Sequence, residues 1–364
     1  MTLKAPFVWF GGKRRVAAEV WTALGDVDNY VEPFAGSLAV LLGRPHDLLD
    51  GQRRAETVND ADGFLANFWR ALAHDPEAVA MWCDWPVNEV DLFARHLWLV
   101  NTGRSRLLEG MEADPDFYDA QVAGWWVWGI NAWIGSGWCS GDGPWVDTGD
   151  GIGKRPHLGD AGQGVNRQLP HLGDAGQGVK RQLPHLGSAG QGVNRQLPHL
   201  GDAGRAGYNN MEHRPNVLGY FEQLAGRLRD VRVCCGDWSR VVTNGALNFG
   251  STVGVFLDPP YLGDVRTADL YAVDDHTISH EVRDWCLANG DNPRYRIVLA
   301  GYSDEHDELI PDTWKRYRYS ASAAYSTTAS AARQDGNHAN RKSEVLWMSP
   351  HCLTPDQGTL WETL

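Results

Sequence analysis

Residues 253–261, with the sequence VGVFLDPPY, constrain the fold of this chain more than any other stretch. The apolar, β-branched first part predicts a buried strand, and the two prolines end it because proline cannot donate to a β-ladder. The strand end presents the carboxylate of Asp258, the carbonyl of Pro259 and the ring of Tyr261 at one point. Ligands of open α/β sheets lie outside the carboxyl ends of the strands, so this turn is a candidate site.

These three groups together suit a flat ligand that carries an exocyclic amine. The carboxylate and the carbonyl can accept the two N–H bonds of the amine, and the ring can stack on the ligand's face. The alternative is a strand followed by a rigid turn that binds nothing. The rest of the chain favours the first interpretation.

Strand and helix patterns alternate on both sides of a central helical segment. Residues 62–135 have apolar positions at helical spacing. The alternation predicts an α/β domain formed by residues 1–100 and 215–364, with an inserted, repeat-bearing second module at 101–214. The predicted strands start near residues 30, 57, 231, 253, 295 and 343.

Two turns in the first part of the chain are typical of nucleotide-binding α/β folds. Residues 32–37, EPFAGS, lie between a short strand and an apolar helix, where a glycine turn can cradle a nucleotide. About 25 residues later, Asp60 ends a second short strand, the usual spacing for a carboxylate that binds a ribose hydroxyl. Asp60 could instead cap the helix that begins near Phe64, and both roles stay open.

The inserted region contains a 14-residue tandem repeat that spans residues 156–204. Three full copies begin at Pro156, Pro170 and Pro184, and a partial copy begins at Pro198. Solenoid repeats that build their own core have periods of about 20–50 residues. We therefore expect an extended or turn-rich insertion here.

Charge is distributed unevenly along the chain. The net charge is −13, but residues 151–215 contain eight Lys or Arg against four Asp or Glu, so this segment is +4 and the remainder is −17. A nucleic-acid surface should therefore be local. The repeat is either a duplicated, tolerated loop or a row of groups along a phosphate backbone. The candidate DNA-contacting cations are Arg155, Arg167, Lys180, Arg181 and Arg195.

An aromatic run at residues 125–133, WWVWGINAW, lies near the end of the helical segment. Core packing explains most tryptophans, and stacking on substrate or DNA is the alternative.

In their order, these motifs resemble the DNA adenine-N6 methyltransferases of the Dam-like, alpha-ordered group. The resemblance covers roughly residues 1–75 and 215–350 and fails over 101–214. The matching segments are WFGGK at 9–13, EPFAGS at 32–37, Asn59-Asp60, Gly236-Asp237-Trp238, DPPY at 258–261 and EVLW at 344–347.

The resemblance implies a Rossmann-like sheet that transfers a methyl group from S-adenosyl-L-methionine to a flipped-out adenine of double-stranded DNA. The implied catalytic residues are Asp258, Pro259, Pro260 and Tyr261, and no metal is required. The implied cofactor-binding residues are Trp9, Gly12, Lys13, Glu32, Pro33, Phe34, Gly36, Ser37, Asp60, Asp237 and Trp238.

Two alternatives stay open at this point. The substrate amine could belong to RNA or to a protein side chain, or the chain could be an inactive relative that only binds DNA. The resemblance implies neither the recognition sequence, nor the oligomeric state, nor a role in restriction-modification, regulation or phage self-protection.

Composition indicates a soluble, cytoplasmic protein. The six cysteines form no C-x-x-C pair, which favours reduced thiols. No stretch approaches the ~18 apolar residues of a membrane span.

Overall fold

The computed structural model describes residues 3–9, 11, 13–45, 54–133, 138–139, 145–147, 152–154, 217–260, 275–319 and 344–354. The tandem repeat at 156–204 lies outside these residues. The strands are β1 (Asn29–Glu32), β2 (Ala55–Asp60), β3 (Trp145–Asp147), β4 (Ile152–Lys154), β5 (Val231–Cys235), β6 (Val253–Leu257), β7 (Tyr295–Tyr302), β8 (Lys315–Tyr319) and β9 (Glu344–Met348).

The α-helices are α1 (Ala17–Leu24), α2 (Ala39–Leu42), α3 (Gly63–His74), α4 (Pro76–Cys83), α5 (Glu89–Trp98), α6 (Arg104–Ala113), α7 (Ala120–Ala132), α8 (Val217–Leu228), α9 (Asp275–Asn289) and α10 (Ser303–His306). Short 3₁₀ helices cover Lys13–Arg15 and Trp238–Val241, and a π-helical turn joins α5 to α6.

Seven strands form one sheet in the order β5-β2-β1-β6-β7-β9-β8. Neighbouring strands are parallel, except that β9 runs antiparallel to both β7 and β8. Strands β3 and β4 form a separate antiparallel pair. The sheet confirms the predicted α/β class and is compatible with a methyltransferase fold. The inserted module and its boundaries stay a prediction.

The strand order reverses between β1 and β6, at the centre of the sheet. Strands β2 and β5 lie on one side of β1, and strands β7, β9 and β8 lie on the opposite side of β6. Such a switch point opens a crevice at the carboxyl ends of the two central strands, where open α/β sheets bind ligands. The residues that follow β1 and β6 are therefore the first to inspect.

Burial explains why the central strand β6 was visible in the sequence. Every residue of β6 is buried, and a parallel strand with helices over both faces reads as a continuous apolar run. Every residue of β1 is buried too, although its first and last residues, Asn29 and Glu32, are polar. Two hydrophobic clusters fill the space between the sheet and the helices on either side, one around Trp21 and Phe68 and the other around Ile297 and Trp314.

The edge strand β8 was not predicted from the sequence. Its residues read KRYRY and are largely solvent-accessible, so they carry no apolar run. An edge strand needs only its ladder to one neighbour, here β9, and charged side chains are common there.

The aromatic run at 125–133 forms most of α7, and its tryptophans mainly pack in the core. Trp126 and Trp128 are each 2% exposed, and Trp126 contacts Phe7 and Phe68. This placement favours the packing interpretation over stacking on a ligand.

A partly buried ion network ties α8 to the strand β2, at the start of that strand. Glu56 accepts hydrogen bonds from Arg44 at 2.9 Å and from Arg227 at 2.6 Å. Burial by itself raises the pKa of Glu56, but the two guanidinium groups outweigh it and lower the pKa below its usual 4.5. Arg44 also bonds Asp26 at 3.0 Å.

In the part of the chain that the structure describes, no helix is both long and apolar enough to cross a membrane.

Candidate active site

The residues singled out in five separate segments meet at one edge of the sheet. Parallel strands β1, β2, β5 and β6 place their carboxyl ends there, followed by Pro33, Ala61, Gly236 and Asp258 respectively. Because β9 is antiparallel, its first residue, Glu344, reaches the same edge. The predicted turns after β1, β2, β5 and β6 therefore lie side by side.

Asp258 forms an ion pair with Lys13 at this edge. The Lys13 Nζ lies 3.0 Å from Asp258 Oδ1 and 3.9 Å from Glu344 Oε2. The ammonium also donates to the carbonyl oxygen of Gly11 at 2.9 Å. Lys13 is buried, whereas Asp258 is partly accessible and Pro259 next to it is buried. A single ammonium thus links the two acids.

The N-terminal segment is held across the helices, which brings Trp9 and Lys13 to the site. The hydroxyl of Tyr220 in α8 donates to the Lys4 carbonyl at 2.6 Å and accepts from the Lys4 N–H at 2.9 Å. Asn131 in α7 donates to the Pro6 carbonyl at 3.1 Å. Anchors from two helices therefore position this segment, whose described residues before Lys13 lie outside helices and strands.

The glycine turn after β1 is shaped by contacts that leave no room for a side chain at Gly36. This residue has a φ of +46°, and a Cβ placed on it would lie 2.9 Å from Cδ1 of Trp9. Its N–H donates to Asp60 Oδ2 at 3.0 Å, and its carbonyl accepts from the Trp69 indole at 3.0 Å. Ser37, the next residue, is buried. Alanine at position 36 would be strained.

The side chain of Asn59 joins three turns of the site. Its Nδ2 donates to the carbonyl of Pro33 after β1 at 3.0 Å and to the carbonyl of Gly236 after β5 at 2.9 Å. The sequence showed Asn59 only as a neighbour of Asp60. The signal that could have found it is an amide side chain at a strand end, because the buried carbonyls of neighbouring turns need hydrogen-bond donors.

Asp60 lies at the end of β2 with both carboxylate oxygens engaged by backbone groups. Oδ1 accepts the Asp62 N–H at 2.9 Å, and Oδ2 accepts that of Gly36. Burial raises the pKa of Asp60 to about 7, although these N–H groups oppose the shift. The N-cap of α3 is Asp62, which accepts from the N–H groups of Phe64 and Leu65. The alternative role considered for Asp60 belongs to Asp62.

Glu32 is buried beneath the glycine turn. The Tyr30 hydroxyl donates to Glu32 Oε2 at 2.9 Å, and the N–H of Leu41 in α2 also bonds the carboxylate. Burial raises the pKa of Glu32 to about 8, and the charge of Asp258 adds to the shift. In this structure Glu32 anchors the first turn of α2, and its predicted contact with a cofactor stays a prediction.

An aromatic pair borders the turn after β5. The rings of Phe34 and Trp238 are nearly parallel, 26° apart, with centroids 6.2 Å from each other. This spacing leaves no room for a third ring between them, so the two rings pack directly against each other. Asp237 beside Trp238 is exposed and caps the following 3₁₀ helix through the Ser239 N–H.

Several predicted site residues lie outside the described part of the chain. They are Gly12, Tyr261, Arg155, Arg167, Lys180, Arg181 and Arg195. Among the residues that are described, no group of three or more His, Cys, Asp or Glu side chains could hold a metal ion.

The structure is that of a mixed α/β protein whose strand-end carboxylates converge at a switch point of the sheet. Residues 9–84 match the family described as D12 class N6 adenine-specific DNA methyltransferase. This match confirms the resemblance predicted from the motifs and indicates adenine methylation of DNA as the general activity. No curated protein matches the chain.

Proposed function

We propose that the chain transfers a methyl group from S-adenosyl-L-methionine to the N6 amine of an adenine in double-stranded DNA. The observation that carries this proposal is the position of Asp258 and Pro259 at the carboxyl end of β6, beside the glycine turn of the matched segment. The hydrogen-bond acceptors for an amine and the glycine turn at residues 32–37 therefore lie in the same crevice.

The residues at this edge fit S-adenosyl-L-methionine in three respects. Asp60 offers a buried carboxylate for ribose hydroxyls, and the partly accessible ring of Phe34, backed by the buried Trp238, offers a face for the adenine ring. Glu344 and Asp258 outnumber the ammonium of Lys13, so this edge favours a positively charged ligand. The indole of Trp9 packs against Gly36 of the glycine turn.

When bound, S-adenosyl-L-methionine supplies a methyl group on a positively charged sulfur, which is a good leaving group. Asp258 and the Pro259 carbonyl accept the two N–H bonds of the target amine, so its lone pair is directed at the methyl carbon. The bound cofactor would give up its methyl group with the neutral thioether as the leaving group, and the amine held by Asp258 and Pro259 would lose one proton to solvent. Positioning and electrostatics supply most of the rate.

The target base must leave the duplex to reach Asp258, because N6 is paired inside double-stranded DNA. In this proposal Tyr261 stacks on the flipped base. The cations of the repeat region contact phosphates, as their local excess of positive charge suggests. The role of Tyr261 rests on the resemblance of residues 258–261 to the family's motif, and that of the cations rests on the local charge alone.

Substrate class is tested by incubating the protein with methyl-labelled cofactor and separate pools of DNA, RNA and protein. We expect label in DNA, located at adenine N6 by single-molecule sequencing of the product. Label confined to RNA or protein would support the alternative substrate, and no label in any pool would support an inactive DNA-binding relative.

Cofactor affinity should depend on pH through Asp60. The ribose hydroxyls donate to an ionised carboxylate, and Asp60 with a pKa of about 7 loses that form as the pH falls. We expect the dissociation constant of S-adenosyl-L-methionine to rise between pH 7.5 and pH 6, approaching tenfold per unit well below the pKa. Isothermal titration calorimetry measures this, in buffers of matched ionic strength.

Two variants separate Asp60 from the other acids of the site. Asp60→Asn should bind the cofactor weakly and with little pH dependence, whereas Asp237→Asn should keep the slope of the parent. An affinity of the parent protein that does not change over this range would contradict the assignment of Asp60.

A further inference from the structure

The environment of Lys13 differs from that of a cofactor contact. The three N–H bonds of an ammonium meet three acceptors here: the Gly11 carbonyl, Asp258 Oδ1 and, at a longer distance, Glu344 Oε2. The side chain is 4% exposed. A buried ammonium with this set of partners has little reason to turn toward a positively charged cofactor, which would repel it.

We infer that Lys13 is a positioning residue for Asp258, not a contact to the cofactor. Its ammonium engages Oδ1 at 3.0 Å and restricts rotation of the carboxylate, which sets the direction from which Asp258 accepts the target amine. Glu344 holds Lys13 from the other side. This inference rests on the proposed function, since it assigns Lys13 a part in the same reaction.

Two distant parts of the chain bring Lys13 and Glu344 to Asp258. Lys13 follows the N-terminal segment that Tyr220 and Asn131 anchor, and Glu344 begins the antiparallel strand β9. Antiparallel insertion of β9 brings the first residue of that strand, and not its last, to the edge where Asp258 lies. Each of the three side chains is at least partly buried, which limits the competition of water with these contacts.

The kinetic test compares Lys13→Met with Lys13→Arg and with Arg15→Met. Misplacing a reacting group by about 1 Å can cost about 100-fold in rate. We therefore expect Lys13→Met to lower the single-turnover methylation rate by about this factor at saturating cofactor and DNA, with an unchanged cofactor dissociation constant. Lys13→Arg should recover part of the rate. Arg15, exposed on the same 3₁₀ helix, should tolerate methionine.

A rate within about twofold of the parent, or a defect confined to cofactor affinity, would overturn the inference. If Lys13→Met does not fold, Lys13→Gln, which keeps an N–H donor without the charge, is judged by the same criteria. Folding of each variant is checked by circular dichroism before the rates are compared.

A second measurement does not require catalysis. Lys13→Met, Asp258→Asn and the double variant are compared in urea unfolding. For a direct pair, the double variant should be less destabilised than the sum of the two single variants. Additive effects would show that the pair contributes nothing. If the parent protein transfers no methyl group to DNA, the proposed function fails, while this cycle still tests the pairing of Lys13 with Asp258.

Discussion

Asp258→Asn should slow methyl transfer by about 1,000-fold while the protein still binds S-adenosyl-L-methionine. Asparagine keeps the size of the side chain but replaces one acceptor oxygen with a donor, so the target amine loses a charged partner at the moment its nitrogen becomes positive. Removing one well-placed electrostatic partner typically costs about 10²–10³ in kcat, and we expect a loss at the upper end. Single-turnover assays with labelled cofactor measure the rate.

Cofactor binding by the same variant separates catalysis from assembly of the site. Calorimetry should give a dissociation constant close to that of the parent, because Asp60, Phe34 and Trp238 are unchanged. Asp312→Asn is the matched control, since this aspartate is fully exposed and remote from the strand ends that form the site. Near-normal turnover by Asp258→Asn would exclude Asp258 as the acceptor of the amine.

Glu56→Gln should strongly destabilise the fold although Glu56 lies outside the site. The variant leaves the guanidinium groups of Arg44 and Arg227 without the carboxylate that both contact. Removing one member of a buried ion pair costs about 3–5 kcal/mol, and the accessibility of Arg227 argues for about 3 kcal/mol. Urea unfolding at neutral pH measures the difference in the free energy of unfolding.

The pH dependence of this difference follows from the lowered pKa of Glu56. A carboxyl whose folded-state pKa lies below its unfolded value stabilises the fold above that unfolded value, and the contribution is lost as the pH falls through the folded pKa. The gap between the parent and Glu56→Gln should therefore shrink as the pH is lowered below about 4.

An exposed pair provides the control for this experiment. Asp284→Asn removes a partner of Arg283 at a position where the acid is 68% exposed, and such pairs contribute about 0–1 kcal/mol. Equal losses of stability in Glu56→Gln and Asp284→Asn would contradict the structural role assigned to the network around Glu56.

Local patterns in the sequence determined most of the sheet and the place of its site. Strands buried on both faces, such as β6, appear as apolar runs, and the turn at Asp258-Pro259-Pro260 marks where that strand ends. The glycine turn at 32–37 and the acid that ends β2 are local features of the same kind. Each depends on residues that are neighbours in the chain, which is why one sequence sufficed.

Only the tertiary structure decided which side chains meet at that site. Lys13 and Glu344 come from opposite ends of the chain, and nothing local to either residue shows that both face Asp258. The same holds for Asn59, which joins turns that follow β1 and β5. These contacts depend on strand order and helix packing, which distant residues set together.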